Sequence, residues 1–212
     1  MPTPRFILAS ASPARRILLQ QVGIEADVQP STVDEDALLR DLATRYGDLE
    51  PADLVLALAR AKAEDVAHNT DALVLGCDSM LELDGEVHGK PADAAEATQR
   101  WRRMRGRSGT LHTGHWLIDD RDDGSGGLIG ATASTVVHFA DLTDAEIEAY
   151  VATGEPLRVA GAFTVDGLGG AFVTGIEGDH HNVVGLSLPL LRTLLLELGV
   201  PWTSLWSPAR LD

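Results

Sequence analysis

The chain has 212 residues, 44% of them hydrophobic, a formal net charge of −15 and a pI near 4.7. That length and apolar content allow one large domain, or two tightly joined halves, around a substantial core. The acidity argues against stable binding to nucleic acid or to an anionic membrane, and no apolar run approaches the roughly 20 residues a membrane helix needs.

The chain opens without a basic segment followed by an apolar one, so no secretion signal is read. "RFILAS" (5–10) predicts a buried strand and "SPARRILLQQVG" (12–23) a helix, with Ser12 as cap, Pro13 in the first turn and Gly23 at the stop. "IEADVQP" predicts a second short strand, and "STVDEDALLRDL" the start of another helix. Residues 50–69 predict a strong helix, with Val55, Leu58, Lys62 and Val66 on one stripe. "ALVLGCD" (72–78) predicts a buried strand, and "MLELDGEVHGKP" a hairpin turning at Asp84-Gly85. Cys77 is the single cysteine, which excludes an internal disulfide and suits a reducing cytoplasm. A helix over 93–106 precedes two long strands, 110–119 and 129–140, joined by an exposed, disordered loop, "DRDDGSGG". "TDAEIEAYVATG" (143–154) predicts a helix boxed by Thr143 and Glu146. Residues 161–187 read as glycine-rich and β-like, "LPLLRTLLLELGV" as a final helix, and the last few residues as disordered. "PWTSLW" would dock on the body or on a partner. Alternating strands and helices favour an α/β architecture, and the two adjacent long strands a mixed sheet.

The stretch "LASASPARR" (8–16) sets Arg15 and Arg16 side by side in the first turn of a helix. Cations there oppose the helix dipole by about 0.3–1 kcal/mol each. A bound anion reverses that sign, because free helix N–H groups and guanidinium forks both hold phosphate oxygens. The same segment also reads as a surface helix with its arginines in solvent.

Asp78 stands at the end of an apolar strand, where a carboxylate is costly to bury without a partner; it either serves catalysis or opens a turn. Ser79 follows it without the G-x-S-x-G elbow of a serine nucleophile. Lys62 interrupts the apolar stripe of its helix, either snorkelling or reaching a phosphate. Lys90 lies between Gly89 and Pro91, outside any Walker A pattern but on a stiff, turn-like backbone, and taken alone reads as a loop lysine. Glu35, in "VDED", belongs to a solvated helix start or holds Mg²⁺. His112 and His115 do not fit the HExxH spacing, and His180 and His181 would face opposite ways on a strand, so no zinc site is read. No GxGxxG follows a strand, which leaves a dinucleotide site unsupported.

Taken in order, "LASASPARRILLQQVGI", "VDE", "LARAKA", "LGCDSMLELDGEVHGKP", "AGAFTVDGLGGAFV" and "IEGDHHNVVGLSLPLL" resemble the Maf family over nearly the whole chain, and "SPARR" and "CDSM" look most like its actinobacterial branch. The resemblance implies one domain over 1–212: an α/β fold with a long mixed β-sheet flanked by helices, and two lobes around a central cleft, similar to the inosine triphosphate pyrophosphatases. It implies a nucleoside triphosphate pyrophosphatase that uses a divalent cation, Mg²⁺ or Mn²⁺, and releases nucleoside monophosphate and pyrophosphate.

By matching motif positions, the resemblance makes Asp78 the proton acceptor. It gives Ser12, Arg15, Lys62 and Lys90 the phosphates, Glu35 and Asp78 the metal, and Ala14, Ser79 and Asp166 the choice of base. The last three depart from the family's "SPRR", "GADT" and "GIQG" patterns, so the thymidine and uridine triphosphate preference of "SPRR" members does not carry over and the base stays open. Gly109 stands where the family often has a histidine. A homodimer in the cytoplasm, nucleotide-pool cleansing and restraint of cell division follow from the same resemblance. The alternative is a non-catalytic nucleotide-binding regulator of division; Asp78, Lys62 and Lys90 together favour the enzyme. A third reading, a phosphomonoesterase, would release inorganic phosphate instead.

Overall fold

The computed structural model describes residues 3–207; the last few residues, expected to be disordered, lie largely outside that range. Seven strands form one mixed sheet: β1 (Phe6–Leu8), β2 (Ala26–Val28), β3 (Leu73–Leu83), β4 (Glu86–His88), β5 (Ser108–Asp119), β6 (Leu128–Phe139) and β7 (Val173–Glu177). The order is β2-β1-β3-β5-β6-β7. β1 runs parallel to both β2 and β3, and the remaining pairings are antiparallel. Seven helices flank the sheet: α1 (Pro13–Gln21), α2 (Glu35–Tyr46), α3 (Pro51–Val66), α4 (Ala94–Met104), α5 (Asp144–Ala152), α6 (His180–Val184) and α7 (Leu188–Glu197).

Local chemistry sets the element ends. Ser12 caps α1, with Pro13 in the first turn and Gly23 left-handed after it. Thr143 and Glu146 close the expected capping box on α5. Asp84 and Gly85 both adopt positive φ, 57° and 77°, as a two-residue hairpin turn between β3 and β4 requires.

Three expectations are corrected. The strand expected over 72–78 runs on to Leu83, because β5 pairs with it from Leu73 to Glu82; Asp78 therefore lies in mid-strand. The 161–187 segment is mostly not β: only Val173–Glu177 is a strand, and the rest forms short 3₁₀ turns, α6 and loop, with Gly161 and Ala162 at positive φ. The 120–127 loop is ordered around Asp119. That buried carboxylate accepts from Arg121 Nε and Nη2 (2.7 and 3.0 Å) and from the Ser125 amide and hydroxyl (2.7 and 2.8 Å).

β3 is the axis of the molecule, and one of its edges is split. β1 pairs with Leu73–Leu75 and β4 with Leu81–Leu83 on that edge, so among the described residues no strand covers 76–80 between them. Two apolar clusters lie on the same face at either side of this gap. One holds Leu75, Cys77 and Leu117 with α1 and α7; the other holds Leu81, Leu111 and Phe139 with α4 and α5, around Trp101. These are the two expected lobes, and the seam between them is polar.

The opposite face carries α3, which sits unusually close. A Cβ on Gly76 would lie 2.1 Å from the Ala59 carbonyl oxygen, and one on Gly114 would lie 2.2 Å from that of Val55. Two glycines on adjacent strands therefore let the α3 backbone rest on the sheet and fix where its next turn, bearing Lys62, meets β3.

Candidate active site

Successive residues of a strand face opposite ways, and β3 uses this at the gap. Asp78 faces α3, and Ser79 faces α1. On the α3 side, Lys62 Nζ lies 2.5 Å from Asp78 Oδ1 and 2.7 Å from Glu35 Oε1. Lys62 does not snorkel; it is buried, as is Asp78. α2 delivers Glu35 in its first turn, with Asp34 as the cap. Burial pushes the Asp78 carboxyl above its ordinary range, while Lys62 and Arg15 pull it back.

On the α1 side the two arginines separate. Arg16 is exposed, as a surface helix would have it, but Arg15 is buried. Arg15 Nε donates to the Gly185 carbonyl (2.7 Å), Nη1 to the Ser10 hydroxyl (2.8 Å) and the Cys77 carbonyl (2.9 Å), and Nη2 to the Ser79 hydroxyl (2.9 Å). The Cys77 carbonyl belongs to the open edge of β3, so Arg15 caps that edge. All four acceptors are neutral, and no carboxylate pairs with Arg15 among the described residues. A buried cation without a counter-charge is costly, and a bound anion would supply the missing charge.

Ser12 caps α1, its hydroxyl accepting from the Arg15 amide at 3.5 Å and keeping its O–H as a donor. Ser79 also bonds Thr113 Oγ1 (2.9 Å), and Thr113 donates to the Asn182 carbonyl (3.2 Å). Ser79 thus belongs to the seam between the lobes and sits on the face opposite Asp78. Lys90 is exposed beyond β4 and has no ion pair or hydrogen bond among the described residues. Its loop is pinned next door, where the Gly89 carbonyl accepts from Arg100 Nη1 (2.6 Å) and the Gly161 amide (3.1 Å).

Ala14 and Asp166, far apart in sequence, line one cavity of about 290 Å³ between α1 and α6. Ser79 is not among its lining residues. His180 and His181 do not face opposite ways: they open α6, their ring centroids lie 4.0 Å apart, and both line this cavity. With Asp179 they bring ligand-capable atoms within 4.8 Å of one another, a cluster the strand reading missed.

Sequence reasoning also missed Ser10, Arg100, Thr113 and Asn182. Asn182 is fully buried and ties Leu111 and Ala133 carbonyls to Thr135. Its one signal was a lone amide inside "HNVVGL". Beside this seam, burial pushes the Cys77 thiol up to about 12, and burial with the nearby Arg15 charge lowers His115 to about 4. Neither group is poised as a nucleophile or base near neutral pH.

The pattern that defines Maf-like proteins matches residues 5–198. A nucleoside triphosphate pyrophosphatase of Streptomyces coelicolor is 56% identical over 211 residues, covering 98% of this chain and 97% of that protein. A protein of the same name from Salinispora tropica is 57% identical over 209 residues, covering 96% and 88%. Among solved structures, a HAM1 protein from Coxiella burnetii aligns with 92% of this chain and 99% of its own at 17% identity and a TM-score of 0.43. None of the described helices is long and apolar enough to cross a membrane. With a family match over most of its length and relatives sharing more than half its residues, the chain belongs to the Maf-like protein family.

Proposed function

We infer that this chain hydrolyses nucleoside triphosphates to nucleoside monophosphate and pyrophosphate, and that Asp78 is the base. The observation that carries the site assignment is the Lys62 ammonium held between Asp78 and Glu35, across the open edge of β3 from a buried Arg15 that lacks a counter-charge. Water attacks the α-phosphorus, its oxygen forming the new P–O bond. The bond from the α-phosphorus to the oxygen bridging it to the β-phosphorus breaks, and pyrophosphate leaves with the electron pair. Asp78 takes the water proton. Its buried site favours that step, because desolvation raises the affinity of the carboxylate for a proton. Lys62, Lys90 and the remaining N–H of Arg15 hold the phosphate oxygens as charge shifts to the leaving group.

The donor set also fits a hard divalent cation. Asp78 and Glu35 present carboxylate oxygens to a single cationic position, occupied here by Lys62 Nζ. When bound there, Mg²⁺ or Mn²⁺ would neutralise triphosphate oxygens and the leaving group. Cytoplasmic location, a homodimer, pool cleansing and restraint of division belong to the same proposal; the lone reduced cysteine supports the first.

The test is product analysis of wild type and Asp78→Asn with a panel of triphosphates and Mg²⁺ or Mn²⁺. Wild type should release pyrophosphate, and the variant should lose about 10²–10⁴-fold in kcat while staying folded. A folded Asp78→Asn protein that keeps most of its rate removes Asp78 as the base. Release of inorganic phosphate would move the attack to the γ-phosphorus.

A further inference from the structure

The loop that carries Lys90 is held from both sides by a single ion pair of α4. Arg100 Nη1 donates to the Gly89 carbonyl (2.6 Å) and Nη2 to Glu96 Oε1 (2.5 Å). Glu96 Oε2 accepts from the Ala92 amide (2.8 Å). Gly89, Arg100, Glu96 and Ala92 thus close a clasp over Lys90 and the buried Pro91. Two further bonds anchor it. The Asp93 carboxylate caps α4 on the Glu96 amide (2.8 Å), and the Gly161 amide reaches the same Gly89 carbonyl (3.1 Å).

The clasp differs from an ordinary surface pair. Exposed pairs one helical turn apart contribute little and touch only each other. The Arg100 side chain is only 4% exposed, and both members of the pair bond main-chain atoms of the loop. Lys90 is exposed, and its ammonium has no partner among the described residues. The backbone is therefore fixed while the cation stays open to a ligand. Its position suits the phosphate cluster. β4 pairs His88 with Leu81 of β3. Counting two residues on along these antiparallel strands brings Lys90 level with Ser79, inside the uncovered stretch 76–80. A cation on a fixed backbone has less freedom to lose when it binds an anion.

We propose that Arg100 and Glu96 are positioning residues for phosphate capture: their clasp holds Lys90 at the open edge of β3, where its ammonium meets the leaving pyrophosphate. This rests on the catalytic reading above and adds the helix pair that makes Lys90 effective. Each lobe then delivers a cation to the gap. α1, packed in one apolar cluster, carries Arg15 itself; α4, packed in the other around Trp101, holds Lys90 through its loop.

The experiment pairs kcat/KM, for the triphosphate that wild type turns over fastest, with calorimetric binding of inorganic pyrophosphate and Mg²⁺. Arg100→Lys keeps a cation on a similar stem but has no planar fork to join the Gly89 carbonyl and Glu96. Glu96→Gln replaces one acceptor oxygen with an NH₂ group, so it cannot accept from both Arg100 and the Ala92 amide. Either variant should lower kcat/KM by about 10–100-fold and weaken pyrophosphate binding by about tenfold. Arg102→Met, which loses only an exposed pair with Asp144 on the same helix, should leave both unchanged. The deciding readout is a cycle with Lys90→Met. In that background Arg100→Lys and Glu96→Gln should have no further effect, because no ammonium remains to be placed. A clasp that merely stabilises the fold gives losses that multiply, with Tm falling in step, and that result overturns the proposal. So does pyrophosphate binding that is equal in wild type, Lys90→Met and Arg100→Lys. Failure of the catalytic reading appears separately, as turnover that survives Asp78→Asn, whereas the calorimetry reads the clasp without any turnover.

Discussion

Asp78 is held in a balance that the enzyme can use and the fold does not need. Desolvation is the largest influence on it and exceeds the pull of Lys62 and Arg15, so its folded pKa lies above the unfolded one. For a carboxyl shifted this way, the ionised form is the costly one. The contribution to stability is complete below the unfolded value and declines as pH rises through the folded one. Two outcomes follow. The acidic limb of kcat/KM should fall at a pH above the ordinary aspartate range near 3.9, measured as a pH–rate profile. Asp78→Asn, with Lys62 still paired to Glu35 at 2.7 Å, should melt at or above the wild-type temperature while losing activity; a clear drop in Tm would show that the buried pair is a net stabiliser. The sequence pointed to Asp78 and Lys62 because each was a charge in an apolar context, and to Arg15 because it opposed the dipole of its own helix. It gave no comparable sign of Ser10 or Thr113, since a small hydroxyl in a strand or turn is unremarkable until a guanidinium or a second hydroxyl is seen to need it.

Among the elements, α3 shows how precise placement was only half legible. Its apolar stripe and the interruption at Lys62 were visible, but its height above the sheet was not, because that depends on Gly76 and Gly114 meeting carbonyls of a distant helix. Gly76→Ala must move backbone against backbone. We expect a loss of about 1–3 kcal/mol, read by chemical denaturation, and a larger loss of turnover than of stability, since the shift carries Lys62 away from Asp78. The 161–187 segment misread as β for a related reason: a chain rich in glycine has no side-chain period to follow, and its path is set by positive-φ residues such as Gly161. The 120–127 loop looked disordered because its polar composition is that of a linker, yet one buried carboxylate organises it. Burial opposes the ionised form of Asp119, but hydrogen bonds from Arg121 and Ser125 win and hold its pKa down to about 2. Here the sign is reversed from Asp78. The stability is present above the ordinary value of 3.8 and is lost as pH falls toward 2. Asp119→Asn should therefore cost about 2 kcal/mol at neutral pH and flatten the acid side of the stability curve, as thermal melts at several pH values would show.

At the scale of the whole molecule, the two apolar clusters meet along a polar line that runs from Arg15 through Ser79 and Thr113 to Asn182. Two lobes were implied by the family resemblance alone; the line between them emerged only when residues up to 170 positions apart were brought together. Arg15 is the member that touches α1, β3 and the turn before α7 at once. A lysine retains the charge but has a single nitrogen and no planar fork. Arg15→Lys should lower Tm by roughly 6–12 °C, the equivalent of about 3 kcal/mol in a chain of this size. Arg16→Lys, exposed and one residue away, should leave the melt unchanged, which separates the clamp from a general effect of charge in that turn.

The break in the edge of β3 has a consequence for solubility. Residues 76–80 carry no neighbouring strand on that edge among the described residues, and an uncovered border of a hydrophobic strand invites another chain to add itself as a strand. Proteins commonly guard these borders with an inward-pointing charge, and Arg15, bonded to the Cys77 carbonyl, is placed to do that. Arg15 would then also keep neighbouring copies from zipping together. Loss of Arg15 would surface first as aggregation during expression, before any kinetic defect could be measured.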